Sequence, residues 1–372
     1  MHRYIFGQLL LAATMAIAVF VFVLVVFNVI KEVAGPFASG QITEGMFVYL
    51  IAITIPGVLP YALPLGLLTA ILLVLGRLSA QNEIVAMKAA GLSLWRITAP
   101  VFLLALLGVG LSAVINIYYA PIADTAFRST LQSAARADPL RFFSPRTFVK
   151  NFPGYVIFAD RREGNELRQL HVWELDDQSR AIRHLQGQRA ELSFDEANPA
   201  IVLTVHDAHG QVINPDLPPS DLDSTYIGEF KRSEFRLPLD DLLGGNKKQT
   251  KLAFMTLDEL LQRRAEAIAD KGEGAFERRI ELQTAIQKKF SFSFAVLSLA
   301  LVAIPLGIKA SRTETYANFA LALALALGYF MVFILCSWLE KMPAMRPDLM
   351  IWVPNFLFQA LGGILFWRAC KR

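Results

Sequence analysis

The chain has no G-x-x-x-x-G-K-S/T stretch, so it carries no P-loop of its own for ATP. H-E-x-x-H, C-x-x-C and G-x-S-x-G are absent too, which removes three common enzyme signatures. Cysteine is scarce: Cys336 and Cys370 are the two, near opposite ends of the last pair of apolar runs, and a disulfide between them is not expected. Charge is also scarce. Lys, Arg, Asp and Glu make up 18% of the 372 residues against 54% hydrophobic, too little polar surface for a soluble protein of this size. A net charge of +4 gives no reason to expect nucleic acid. Ionisable residues are missing from the middle of the long apolar runs, which argues against a proton-coupled transporter or an intramembrane protease.

What the chain does have is six apolar runs, at about 9–30, 47–75, 99–119, 290–308, 316–339 and 350–367. Each approaches the length needed to cross ~30 Å of hydrocarbon as a helix. The first has neither the short apolar region nor the small-residue cleavage site of a signal peptide, and reads as an uncleaved span. In the second, Pro56, Pro60 and Pro64 recur every four residues, so one helix face lacks N–H donors and a kink or irregular start is expected.

From 121 to 289 no run is long enough to span, and charge of both signs is dense. "GYVIFADRR", "LRQLHVWELD", "RAELSFD" and "AIVLTVHDAHGQVI" alternate as strands do, with Ile201, Leu203 and Val205 sharing one face. "DEANP" and "NPDLPPSD" read as turns, and "GGNKKQTK" as a linker. The strands predict a β-domain over about 141–239, a sandwich or open barrel. Thr256 to Glu259 has the capping-box pattern of a helix start. His206 and His209, three apart on a strand, are expected on opposite faces, which disfavours a shared metal. Asp176 with Asp177 and Arg161 with Arg162 read as solvated surface.

Short basic loops set the orientation. Arg3, then Arg77, Lys88 and Arg96, then Lys309 and Arg312, then Arg368, Lys371 and Arg372 fall on one side, which is therefore cytoplasmic. The β-domain falls on the other. Asn28 and Asn116 lie near outer span ends, within reach of water or lipid headgroups. Lys31 and Lys341 also lie at outer ends, either against anionic phosphates or as snorkelling anchors.

Between the second and third runs lies "GRLSAQNEIVAMKAAGLSLWRI", Gly76 to Ile97. Ser79 can cap a helix start and Gly91 suits the left-handed residue past a helix end. Ile84, Met87 and Ala90 share a face beside Glu83 and Lys88. The pattern fits an amphipathic helix that docks on a soluble partner, or a solvated connector between spans.

These features resemble the LptF/LptG permeases of the lipopolysaccharide export ABC transporter, the YjgP/YjgQ family. The resemblance rests on "RYIFGQLLLA" before a long first span and on the proline-bearing second span followed by "GRLSAQNEIVAMKAAGLS". It rests also on "IPLGIKASRTETYANFALALALALGYF" and on the order three spans, β-domain, three spans. It implies an α-helical membrane protein with six transmembrane helices (3+3) and an inserted periplasmic all-β jellyroll-like domain. The halves are 1–120, with a coupling helix about 79–91, and 276–372; the β-domain, linker and connecting helix occupy 121–275.

The implied function is a permease subunit that extracts lipopolysaccharide from the bacterial inner membrane and passes it to a periplasmic protein bridge. The implied partners are a paralogous permease, a cytoplasmic LptB-like P-loop ATPase dimer and LptC/LptA-like jellyroll proteins. No cofactor is expected in this chain, since ATP and Mg bind the ATPase. By resemblance, Glu83, Ile84, Met87, Gly91 and Arg312 couple to that ATPase and Lys31 contacts lipid phosphate. Alternatives are a permease for another lipid or a lipoprotein, or a membrane anchor for a periplasmic β-domain.

Overall fold

The computed structural model describes the chain except residues 39, 41, 138–142, 144, 150, 151, 153, 177, 179, 196–199, 214–224, 239–251, 253, 270, 271, 273, 310–314, 340–344 and 372. The expected linker at 244–251, all of "NPDLPPSD", all of "DEANP" but Asp195, Asp177 and Lys341 lie outside the described residues.

Six helices are long and apolar enough to cross a membrane. The first, His2–Asn28, widens into a π turn at Val29–Val33. The second is Glu44–Ala80. The third, Leu94–Val114, passes through a π turn at Ile115–Tyr119 and continues as Ala120–Ala137. The fourth to sixth are Ala275–Lys309, Thr315–Trp338 and Val353–Lys371. The second span is one unbroken helix through Pro56, Pro60 and Pro64, not the irregular start its prolines suggest. Their four-residue spacing is the reason: the missing donors and the carbonyls they leave unpaired fall along a single stripe.

The chain divides into two compact units, Met1–Val29 with Ile51–Ala126 and Lys251–Arg372, and Ile30–Leu50 with Phe127–Thr250. In the first, small residues let backbones approach, as expected where apolar surface alone does not drive helices together. A Cβ on Gly66 would stand 2.4 Å from Cγ1 of Ile17, one on Gly108 would stand 2.9 Å from Cγ1 of Val296, and one on Gly362 would stand 2.7 Å from the Leu301 carbonyl carbon. The fourth span thus packs closely on the third and the sixth, and the second on the first. Polar side chains then fix the angle. Fully buried Asn355 of the sixth span accepts from Ser298 Oγ at 2.7 Å and Tyr329 OH at 3.0 Å, and donates to the Ser291 carbonyl at 2.8 Å. The bonds join the fourth, fifth and sixth spans.

The second unit holds one antiparallel five-stranded sheet, ordered β1-β2-β3-β4-β5: Tyr155–Glu163, Glu166–Leu175, Ala181–Asp195, Ala200–Ile213 and Thr225–Pro238. The sheet bends along one row. Gln169 in β2 and Asp207 in β4 have φ of 52° and 47°, although the pairing register continues on either side of them. A left-handed residue adds half a step to the alternation of side chains. Leu167 and Leu170, and Val205 and Ala208, are therefore all buried on one side. Apolar faces on both sides of the bend meet in one core from Phe143 to Leu237. Gly187 lies beside the bend, where a Cβ would come within 2.3 Å of Val205 Cγ1.

The bend overturns one expectation. His206 and His209 share the outer face, because Asp207 shifts the alternation between them. Each faces its own carboxylate, His206 Nε2 at 3.8 Å from Glu191 and His209 Nε2 at 3.6 Å from Glu229. Among the described residues no group of three or more candidate ligands could hold a metal. Cys336 and Cys370 are both free thiols.

Candidate functional site: the connection between the second and third spans

The second span ends at Ala80, and its last turn is tied at two points. Arg77 Nη2 donates to Gln8 of the first span, and Ser79 Oγ donates to the Ile308 carbonyl of the fourth at 2.7 Å. Ser79 is therefore a buried residue inside the second span and does not cap the next helix. The expected helix over 79–91 is instead the last turn of the span, a break, and a separate helix at Glu83–Ala89. Asn82 makes the break with φ 57°, a conformation that asparagine tolerates better than most residues.

The far end closes as the sequence suggests. Gly91 has φ +84°, its N–H donates to the Lys88 carbonyl at 3.0 Å, and the Leu92 N–H reaches back to Met87 at 3.1 Å. This pair of bonds is the Schellman closure, which satisfies carbonyls a helix end leaves open. Ser93 then accepts from the Arg96 N–H at 3.4 Å and caps the third span. The connection is thus fixed at both ends.

Ile84 is buried, and Met87 and Leu92 pack on the same apolar core as the spans. Ile84 and Met87 hold the helix to its bed. Glu83 is half-buried at the first turn, while Val85, Ala86, Lys88, Ala89 and Ala90 are exposed. Trp95 adds to the open surface: it is 60% exposed, and it stacks on Phe102 and meets Phe366 edge-on at 4.7 Å. The sequence reading missed Trp95; the signal was a large aromatic in a short basic loop. A small apolar surface with Glu83 and Lys88 beside it can seat in a groove of a soluble protein.

Of the other residues singled out, Lys31 is exposed in the π turn Val29–Val33 at the far end of the first span. Arg312 lies outside the described residues. The first and fifth spans leave most of their apolar surface uncovered, with Phe22 69% and Met331 64% exposed.

Comparison with known proteins agrees with this architecture. The lipopolysaccharide export system permease protein LptG of Haemophilus influenzae is 25% identical over 145 residues, which covers 39% of this chain and 40% of that protein. The match therefore spans about two fifths of that curated relative. The family model described as lipopolysaccharide export system permease LptF/LptG matches residues 3–368. With six apolar helices and an antiparallel five-stranded sheet inserted after the third, the chain is a multi-pass membrane protein that belongs to the LptF/LptG family.

Proposed function

We propose that the chain is one permease subunit of a lipopolysaccharide exporter in the bacterial inner membrane. It works with a second permease and with an ATPase dimer that binds ATP and Mg. The single observation that carries this reading is the short helix Glu83–Ala89, clamped at both ends and anchored by Ile84, with a small exposed face. A rigid helix bedded on the spans passes a push from a soluble partner to them; a floppy loop does not. Glu83 supplies the charged contact, while Met87 and Gly91 hold the helix in shape and Arg312 adds a second contact from the next basic loop.

The short basic loops put this helix and both termini in the cytoplasm and the sheet in the periplasm. The exposed first and fifth spans face lipid or the second permease, and Lys31 meets lipid phosphate at the outer end of the first. The bent sheet, a jellyroll-like element, receives the acyl chains and hands them to LptC/LptA-like neighbours by strand addition at an edge of the sheet.

The test is Glu83→Ala in the assembled transporter, with ATPase retention and lipopolysaccharide release both measured. Loss of the bound ATPase or of export, with the six-span fold intact, is expected. Wild-type export would sink the coupling role. Co-purification of a different lipid would move the substrate to another lipid or a lipoprotein.

A further inference from the structure

The charges of the sheet look scattered in the sequence, and the strand register puts them in lines. Arg161, Arg168, Arg189, His206 and Arg232 stand opposite one another in turn, one from each strand. Two positions along, Glu163, Glu166, Glu191, Thr204 and Glu234 form a second line beside the first. Both lines lie on the outer face, because the neighbours Leu167, Ala190 and Val205 point into the apolar core. As a device for stability this is a poor arrangement. Like charges directly opposite one another work against strand pairing, and exposed ion pairs return little.

The same arrangement suits recognition. Ion pairs between the lines hold the guanidinium groups in place: Arg168 Nη2 lies 2.9 Å from Glu163, Arg232 Nη2 lies 2.6 Å from Glu234, and Arg189 reaches both Glu166 and Glu191. The five strands carry seven arginines and one lysine, Lys231. Arginine offers a flat fork of donors where lysine offers a mobile point charge. Between the lines runs a groove of about 390 Å³, the size of a small-molecule site. Its least exposed polar side chain is Thr204, 8% exposed, with Glu166 and Glu191 on one side and His206 and Arg232 on the other. His206 Nε2 is turned from water and makes no hydrogen bond among the described residues; its nearest carboxylate, Glu191, is 3.8 Å away. A buried polar atom left in this way calls for a partner.

Charge narrows the choice of ligand. Two carboxylates in the lining repel an anion, and Arg232 repels a cation. Among the described residues no cluster of this kind could hold a metal. Neutral molecules with many hydroxyls fit both signs, since each hydroxyl donates to a carboxylate and accepts from a guanidinium. Flat forks match pairs of neighbouring hydroxyls. Beyond the bend, three positions and about 10 Å along the strand from Arg168, the His171 ring stacks with Trp173 at 5.5 Å, so a longer ligand meets flat apolar ring surface next.

The geometry points to a saccharide-binding groove on the outer face of the sheet, with Thr204 at its base, Glu166 and Glu191 accepting from sugar hydroxyls, and Arg232 and His206 completing the contacts. This face is the opposite one from the apolar core, so it is distinct from any surface that takes acyl chains. The inference rests on the export reading only for the source of the sugar: it belongs to the exported glycolipid or to a separate glycan.

The experiment uses the full chain in nanodiscs and titration calorimetry with two probes, dephosphorylated lipid-free oligosaccharide from lipopolysaccharide, and chitotetraose. Binding of at least one probe is expected, with affinity held between low and high salt. Thr204→Val keeps the shape and removes a hydroxyl, and should weaken binding about fivefold; Arg232→Lys keeps the charge and removes the fork, and should weaken it about tenfold. Arg161→Lys, in the same line but outside the groove, should change nothing. If Thr204→Val does not fold, the exposed Arg232→Lys carries the comparison. Binding of the lipopolysaccharide oligosaccharide assigns the groove to the cargo. Binding of chitotetraose alone assigns it to a separate glycan. A solvated ladder of ion pairs only is the overturning result: neither probe binds, or binding fades with salt, or Arg232→Lys leaves it unchanged, or Arg161→Lys weakens it equally. Export by Glu83→Ala is read separately, so failure of the groove and failure of the transport assignment are distinguishable.

Discussion

Gly66 has no room for a methyl group. A Cβ there falls 2.8 Å from the backbone nitrogen of Ile17, and backbone cannot rotate away. Gly66→Ala is therefore expected to cost about 1–3 kcal/mol, the usual scale of overpacking, read as a lower melting temperature in detergent. Gly110 meets nothing within 4 Å, so Gly110→Ala is the control and should be neutral or stabilising. A second residue effect is pH-dependent. On the outer face of the sheet, His184 Nε2 lies 3.1 Å from His171 Nδ1, and Trp173 stacks on both rings. Partial burial, and next the charge of His171, push the His184 pKa below the ordinary histidine value. The unfolded chain then binds that proton more readily than the folded one. The stability it contributes is full above about pH 6.5 and is lost as the pH falls towards the folded value. His184→Gln should flatten the melting temperature of the sheet between about pH 7 and pH 5; an unchanged slope would assign the effect elsewhere. Neither site was legible beforehand. Sequence shows a glycine in an apolar run, but which span faces it is a tertiary fact. It shows His171 and His184 thirteen positions apart, and only the β2–β3 register makes them neighbours.

At the scale of elements, the helix Glu83–Ala89 is seven residues long, too short to persist alone. Its two clamps and Ile84 keep it formed. Ile84→Ala should release it from its bed at a local cost of about 2–4 kcal/mol, while the spans stay folded. Faster amide exchange confined to 83–92 is the expected signature; exchange unchanged there would mean that the caps suffice. The helix was legible because Gly91 and the apolar spacing report local chemistry. Its start was not, since Ser79 looks like a cap but belongs to the preceding span, and Asn82 breaks the chain with no side-chain cap bond. The capping box was legible for the same local reason: the Thr256 N–H donates to Glu259 at 2.9 Å and opens the helix Leu257–Ala269. Strand β5 went unread. Lys231 and Arg232 stand together at the bend, where two successive outward residues break the alternation by which a strand is recognised. The same phase shift misled the assignment of His206 and His209, because a left-handed residue inside a strand leaves no mark in an alternation rule.

For the whole molecule, the long apolar runs and their 3+3 grouping were plain from composition, since lipid demands uninterrupted helices. Which faces of those helices meet was not plain. Two cores result. The core of the spans draws on residues from Ile5 to Ile115 and from Ala295 to Phe366. The core of the sheet draws wholly on Phe143 to Leu237. No buried residue is shared, so the sheet should not need the spans in order to fold. Five strands around one apolar face are enough for independent stability, where a lone hairpin is not. The fragment 127–250 is therefore expected to be soluble, with a strand-type circular dichroism spectrum and one cooperative melt. Its melting temperature should fall with pH in parallel with that of the sheet in the full chain, because His171 and His184 both lie within it. An unfolded fragment would mean that segment 30–50, which belongs to the same compact unit, completes the fold. Adding that segment back through a flexible linker would then restore the melt. A folded fragment would make the sheet and the spans separate cooperative units, as their separate apolar cores lead one to expect.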